Sequence, residues 1–350
     1  MRSMGHHLPR CYTTAAMAAS SVLTPRLERL RACWHAVVYS RDLGPSPLRV
    51  ELLEEPLVLW RDSAGSPHAF RDLCIHRGTA LSRGRVAGDE IVCAYHGWRY
   101  AADGRCTAIP QLEDPSQVPA KARAVAYCCR ERYGLVWVAL AEPRWPIPEL
   151  PELESPGWKT VLCGPYAWNA EASRQIENFT DLGHFPWVHP GLLGDPGRVV
   201  VVAPAVDTRG HVLHYQFERA EAKSTAEYPL FPNEDRERSV RFTRYALHLP
   251  YTIVVHMSWG GRETLLYLFV SQPVSADRCI GYCLIGQNYN LDQPDRVFQD
   301  FEDVIFGQDR HVVESQRPAE VPFDLSEELH LKFDSVAVAY RRAMQALGLG

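Results

Sequence analysis

Two domains of α+β type, an all-β one followed by a larger antiparallel sheet with helices, follow from three features of the 350-residue sequence. Short apolar runs separated by glycine turns fill residues 34–140. Pro143, Pro146, Pro148, Pro151 and Pro156 then fall close together, a density that neither a helix nor a central strand can carry. Beyond them, longer alternating runs are bracketed by segments of helical periodicity. The composition, 46% hydrophobic and 23% charged, is that of a globular chain and excludes a disordered or collagen-like one. No stretch approaches the roughly 20 apolar residues of a membrane-spanning helix, so no membrane partner is expected. A net charge of −5 gives no reason to expect a nucleic-acid partner.

Residues 1–26 contain no Asp or Glu and read as a disordered leader, with a transit peptide or an over-long start ahead of Met4 or Met17 as the other readings. The first domain is placed at 27–142. Leu27 and Leu30 mark a short helix over 25–33. Strands are expected at 50–53, 57–60, 91–94, 125–129 and 135–140, divided by turns at Ala64-Gly65, Ala87-Gly88-Asp89 and Asp103-Gly104. The prolines make 143–157 a linker, and the second domain covers 158–350. Its expected helices are 171–182, 295–314 and 335–347. Between the first two lie strands at 199–202, 211–217, 241–247, 252–257, 264–270 and 280–286. The last helix, with Val336, Val338, Ala339 and Tyr340, reads as core packing or a subunit contact.

The first chemistry-bearing stretch is CIHRGTALSRGRVAGDEIVCAYH, residues 74–96. It holds Cys74-x-His76 and Cys93-x-x-His96. Two Cys and two His can bind one tetrahedral Zn²⁺ or a Rieske [2Fe–2S] centre, with both Cys on one iron and both His on the other. Zinc fingers usually put the two Cys in one clip and the two His in the other. Here each clip mixes one of each, which suits a two-iron cluster. The pattern CxHRG…CxxHGW resembles the Rieske domain of Rieske-type non-haem iron oxygenases, with Ala94 where many relatives have Pro. The ten cysteines are too few for a stapled secreted scaffold, and a reducing, cytoplasmic setting is expected. The other eight form no ferredoxin-type ligand set, and no glycine-rich dinucleotide fingerprint is visible, so electrons should come from a separate reductase or ferredoxin.

The second stretch, ENFTDLGHFPWVH at 177–189, spaces Asn178, Asp181 and His184 by three, as on one helical face. His189 is five beyond His184 and does not converge with it on an unbroken helix. Pro186 should break that helix and swing His189 back. Two His and a carboxylate make the facial triad of non-haem Fe(II) oxygenases, and the residues leave Asp300, Asp303 and Asp309 open as the third ligand. The stretch resembles the N-x-x-D-x-x-H-x₄-H motif of the same oxygenase family, whose third ligand lies in a helix reading D-x-x-V-V-E-x-Q-x-P. That resemblance picks Asp309, in DRHVVESQRP, as ligand to a mononuclear Fe(II).

The family resemblance implies more. The second domain should be a helix-grip fold. Asp181 should link His184 to His96 of a neighbouring subunit in a homotrimer, and Asn178 should lie near the iron. The local text is most similar to the branch containing O-demethylases, methylxanthine-type N-demethylases and aryl-methyl hydroxylases. The implied activity is therefore that of a terminal monooxygenase using O₂ to hydroxylate or demethylate an aromatic or heterocyclic small molecule. Cis-dihydroxylation of an arene and a Rieske electron-transfer protein with an inert second half are the rival readings. Phe242, Tyr245, Trp259 and Tyr267 are the expected aromatic lining, and His248 and His256 are further pocket candidates.

Overall fold

A computed structural model describes residues 24–220 and 240–350. The leader expected over 1–26 falls almost wholly outside them. The chain divides into two compact units: residues 31–146, and residues 25–30 with 147–350.

The first unit is built of strands. They are β1 (His35–Tyr39), β2 (Leu48–Leu52), β3 (Glu55–Arg61), β4 (Pro67–Arg71), β5 (Arg85–Ala87), β6 (Glu90–Val92), β7 (Arg99–Ala101), β8 (Cys106–Ala108), β9 (Ala126–Arg132) and β10 (Leu135–Ala139). Six of them form one antiparallel sheet in the order β1-β10-β9-β4-β3-β2, and β5 to β8 form a four-stranded meander. The expected strands at 50–53, 57–60, 125–129 and 135–140 fall on β2, β3, β9 and β10 with shifted ends. β5, β7 and β8 are only three residues each, too short for an alternation pattern to register. Val58, Trp60 and Phe70 of the large sheet pack with Ile91 and Tyr100 of the meander in one buried cluster. Cys74 and Cys93 belong to that same cluster, so the two loops carrying them are anchored in the core.

The first described element of the second unit is α1 (Pro25–Arg31), with Arg26 paired to buried Glu171. Residues 143–157 contain no strand or α-helix, only a 3₁₀ turn at Pro151–Glu154, and bury Ile147 and Leu150. Next come β11 (Lys159–Trp168), α2 (Ala172–Thr180), α3 (Phe185–Val188), β12 (Asp207–Arg209), β13 (Val212–Ala220), β14 (Val240–His248), β15 (Thr252–Ser258), β16 (Thr264–Ser275), β17 (Arg278–Gln287), α4 (Asp295–Val313) and α5 (Ser335–Ala346). The strands form one antiparallel sheet of seven in the order β11-β17-β16-β15-β14-β13-β12.

β14 alternates exposed and buried residues, with Arg241, Thr243, Tyr245 and Leu247 facing inward. β16 is buried along nearly its whole length, as expected of a strand covered on both faces. α4 packs on β11, and α2 on β16 and β17. These helices close one face of the sheet, the α+β arrangement read from the sequence. One expected strand is absent. Residues 199–202 form no strand, and Val199, Val200 and Val202 are exposed. Four consecutive valines have high β propensity, but among the described residues no neighbouring strand offers them an edge, and propensity alone does not make a strand.

Candidate metal centres

In the first unit the two motif loops repeat one backbone design. Cys74 N–H donates to Thr79 O at 2.8 Å, and Gly78 N–H donates back to Cys74 O at 2.9 Å. Cys93 N–H donates to Trp98 O at 2.9 Å, and Gly97 N–H to Cys93 O at 3.0 Å. Gly78 and Gly97 both have φ of +72°, a conformation that favours glycine, which is why each clip carries a glycine four residues after its cysteine. The cysteines are buried, and the histidines lie nearer the surface. The His76 and His96 rings sit 4.5 Å apart between centroids, and His76 stacks on Trp98 at 4.5 Å.

These loops suit a two-iron cluster better than zinc. Four ligands of one tetrahedral ion lie within about 4 Å of one another. Among the described residues no three of Cys74, His76, Cys93 and His96 come within 4.8 Å of one another at their ligand atoms. The histidines instead share one side and the cysteines the other, and His76 Nδ1 is buried with no hydrogen-bond partner. Burial raises the Cys74 thiol above its ordinary range; Tyr100, whose hydroxyl lies 3.0 Å from the sulfur, pulls the other way, and Cys93 adds to the rise. A buried thiol such as that of Cys74 ionises readily only onto a metal.

The second site is built where α2 ends. Asp181 takes extended backbone angles, φ −83° and ψ 126°, while its N–H still caps Glu177 O and Asn178 O. The helix therefore stops at Thr180, before Pro186. Asn178 and Asp181 thus share no continuous helix with His184, contrary to the spacing argument. Pro186 occupies the first turn of α3, where its missing N–H costs nothing. The expected break exists, but Asp181 makes it and Pro186 opens the next helix. α3 then carries His184 at its start and His189 at its end.

Asp309 comes from the buried face of α4. His184 Nε2 lies 3.4 Å and His189 Nε2 2.9 Å from Asp309 Oδ1. His189 Nε2 and Asp309 Oδ1 are both buried without a hydrogen-bond partner, so the two groups aim at a shared point rather than at each other. Among the described residues this is the one group of three His, Cys, Asp or Glu side chains whose ligand atoms fall within 4.8 Å. The donor set, two imidazoles and one carboxylate, fits a non-haem iron. Asp300 and Asp303 are not part of it; Asp303 accepts a hydrogen bond from Tyr166 at 2.8 Å.

The outward nitrogens of the two histidines have different partners. His184 Nδ1 lies 3.3 Å from Asp181 Oδ2, and Gly183 N–H donates to Oδ1 at 2.7 Å. Desolvation works against the Asp181 charge, but these donors outweigh it and hold the carboxyl below its ordinary range. His189 Nδ1 instead meets Gln308 Oε1 at 2.7 Å. Gln308 escapes a sequence reading because its role depends on α3 approaching α4, which no local spacing encodes.

An apolar cavity opens on this set. Phe179, Phe185, Phe269, Ile305 and Phe306 line it, with Asn178, Thr243, Tyr245, Tyr267 and Glu302 among the polar residues. Asn178 Nδ2 and Thr243 Oγ1 are buried without hydrogen-bond partners. Tyr245 and Tyr267 line the cavity as expected, whereas Phe242 and Trp259 do not. Phe242 occupies an outward position of β14 between Arg241 and Thr243, and strand alternation carries it to the other face. His248 likewise faces away from the cavity, and His256 sits near Glu152 instead.

Comparison with known proteins agrees with both centres. Residues 33–125 match the Rieske [2Fe-2S] domain, and residues 168–349 match the vanillate O-demethylase oxygenase C-terminal domain. The chain is 32% identical to methylxanthine N1-demethylase NdmA of Pseudomonas putida, over 93% of this chain and 92% of the relative. It is 31% identical to methylxanthine N3-demethylase NdmB of the same organism, over 93% of each. The solved structure of NdmA with caffeine superposes with a TM-score of 0.83 over 93% of each chain. Dicamba monooxygenase bound to dicamba, at 21% identity, shares the fold with a TM-score of 0.78. With a [2Fe–2S] domain, a mononuclear iron site and relatives of this kind, the chain belongs to the Rieske non-haem iron oxygenases.

Proposed function

We propose that this protein is the terminal oxygenase of a multicomponent Rieske monooxygenase that hydroxylates or oxidatively demethylates a ring-bearing small molecule. The observation that carries this reading is the convergence of His184, His189 and Asp309 on the wall of an aromatic cavity. In the proposal Cys74, His76, Cys93 and His96 hold the cluster, and His184, His189 and Asp309 hold the iron. When bound, the cluster supplies single electrons and the iron a partly open centre for O₂ activation. The chain's own contribution is placement. Phenylalanines exclude water and clamp a flat ring by its faces. Asn178 turns its free amide N–H groups toward a ligand beside the iron. Asp181 fixes the His184 tautomer, and its side chain is still 47% exposed. Its remaining lone pairs can thus accept a second imidazole N–H, from His96 of the partner subunit in a homotrimer, with electrons entering from a separate NAD(P)H-dependent reductase.

NdmA and NdmB are demethylases by name, and N-demethylation is the reaction class favoured here. Turnover of N-methyl, methoxy and aryl-methyl compounds under ¹⁸O₂ with a surrogate reductase tests it. One labelled oxygen per product, or formaldehyde release, is expected; two labelled oxygens on a cis-diol would make the enzyme a dihydroxylase. Asp181→Asn should slow this turnover with both metals still bound. Full activity in that variant would remove Asp181 from the electron path.

A further inference from the structure

The cavity contains an acid that the iron ligands do not use. The inner face of α4 presents Glu302, Ile305, Phe306 and Asp309, and Glu302 stands two helical turns before Asp309 on the same wall. Its side chain is buried, at 3% exposure. Tyr267 donates a hydrogen bond to its Oε1 at 2.9 Å. Among the described residues no second hydrogen bond and no ion pair engages this carboxyl. Among the described residues no cation pairs with it, although the buried Arg241 lines the same cavity. Tyr267 comes from β16, Tyr166 from β11 and Cys283 from β17, and Asp303 and Asp309 share its helix. An ionised carboxylate here would lose its hydration with only the Tyr267 hydroxyl to replace it. Burial accordingly pushes Glu302 up to about 8; the Tyr267 bond opposes this, and Asp309 and Asp303 reinforce it.

Tyr267 occupies Oε1, so the proton of the acid form belongs on Oε2, and that O–H has no acceptor in the chain among the described residues. We propose that Glu302, held by Tyr267, is the polar anchor of the substrate cavity and donates its carboxyl O–H to a carbonyl oxygen of an uncharged ring. This rests on the cavity being the substrate site. The surrounding phenyl rings grip a flat ring without fixing its rotation in its own plane. An O–H donor at Glu302 sets that rotation, alongside Asn178 and Arg241 in the same cavity, and so selects which substituent faces His184, His189 and Asp309. A permanent cation finds no carboxylate to pair with at Glu302.

The test uses iron-loaded holoenzyme treated with nitric oxide, so that a ligand in the cavity perturbs the ferrous nitrosyl EPR signal. The probes are 1-methyl-2-pyridone and 1-methyl-2-quinolone, both uncharged ring lactams, with benzyltrimethylammonium as the cation. Both lactams should perturb the signal and the cation should not. Glu302→Gln keeps an N–H donor and should bind the lactams within a few-fold of wild type, whereas Glu302→Leu should bind them about tenfold more weakly. Tighter binding of the cation, unperturbed spectra with the lactams, or unchanged affinity in Glu302→Leu would overturn the proposal. A second measurement does not depend on iron. The infrared difference between wild type and Glu302→Gln at neutral pH should show a protonated-carboxyl C=O stretch, and its absence overturns the proposal by itself. A missing nitrosyl signal with that stretch present would count against the iron site and leave the acid assignment standing.

Discussion

Gln308 decides which nitrogen His189 offers to a metal. An imidazole has two ring nitrogens, and the hydrogen bond made by one selects the other as ligand. Gln308 Oε1 can only accept, so His189 Nδ1 carries the proton and the Nε2 lone pair faces Asp309. Asp181 does the same for His184, but as a partly exposed carboxylate. Gln308→Ala should therefore weaken Fe(II) binding at the mononuclear site by roughly 10- to 100-fold. Competition with a ferrous chelator measures this, with visible absorbance confirming that the cluster is intact. Gln308→Glu, which keeps an acceptor oxygen, should recover most of the affinity. Unchanged binding in Gln308→Ala would show that packing alone orients the ring.

At the level of elements, the site depends on a short loop folding back onto α3. His189 O accepts N–H groups from Leu192, Leu193 and Gly194. A side chain at Gly194 would collide with the Phe185 carbonyl and Pro186 N at the start of α3. These are backbone atoms with no rotamer to yield. Gly194→Ala should displace α3 and lower iron occupancy at the mononuclear site several-fold without changing the cluster spectrum; metal analysis alongside EPR separates the two. The Rieske clips were legible from sequence because their glycines, ligands and spacing are local and chemically restrictive. The long strands β13 to β17 were legible from alternation and length. The break between α2 and α3 was legible only as a necessity, since its position depends on Asp181 leaving helical angles. Of the meander only β6 is legible, from the apolar run expected at 91–94, because β5, β7 and β8 are too short to show a period. Gln308 and the inward face of Glu302 become visible only once α4 lies against the sheet, although the two-turn spacing between Glu302 and Asp309 already placed them on one side of a helix.

For the molecule as a whole, acid sensitivity should be traceable to a histidine that belongs to neither ligand set. Burial holds His248 down to about 4, and neighbouring His211 and His214 add to the effect. The unfolded chain binds a proton at this position below about 6.5, the folded chain only near 4. The unfolded state thus carries the extra proton across that window, and stability falls as the pH drops through it, by at most about 3 kcal/mol. Thermal melts at pH 7 and pH 5 should show a smaller loss for His248→Gln than for wild type; equal losses would place the acid sensitivity elsewhere.

We infer that one chain carries two distinct iron centres, a cluster on Cys74, His76, Cys93 and His96 and a single iron on His184, His189 and Asp309. EPR of iron-replete protein, reduced anaerobically and exposed to nitric oxide, tests it most directly. Two signals are predicted, a reduced Rieske cluster and a ferrous nitrosyl, with His184→Ala removing the second and leaving the first. A Rieske signal alone in wild-type protein verified to be replete with iron would contradict the account and leave an electron-transfer protein.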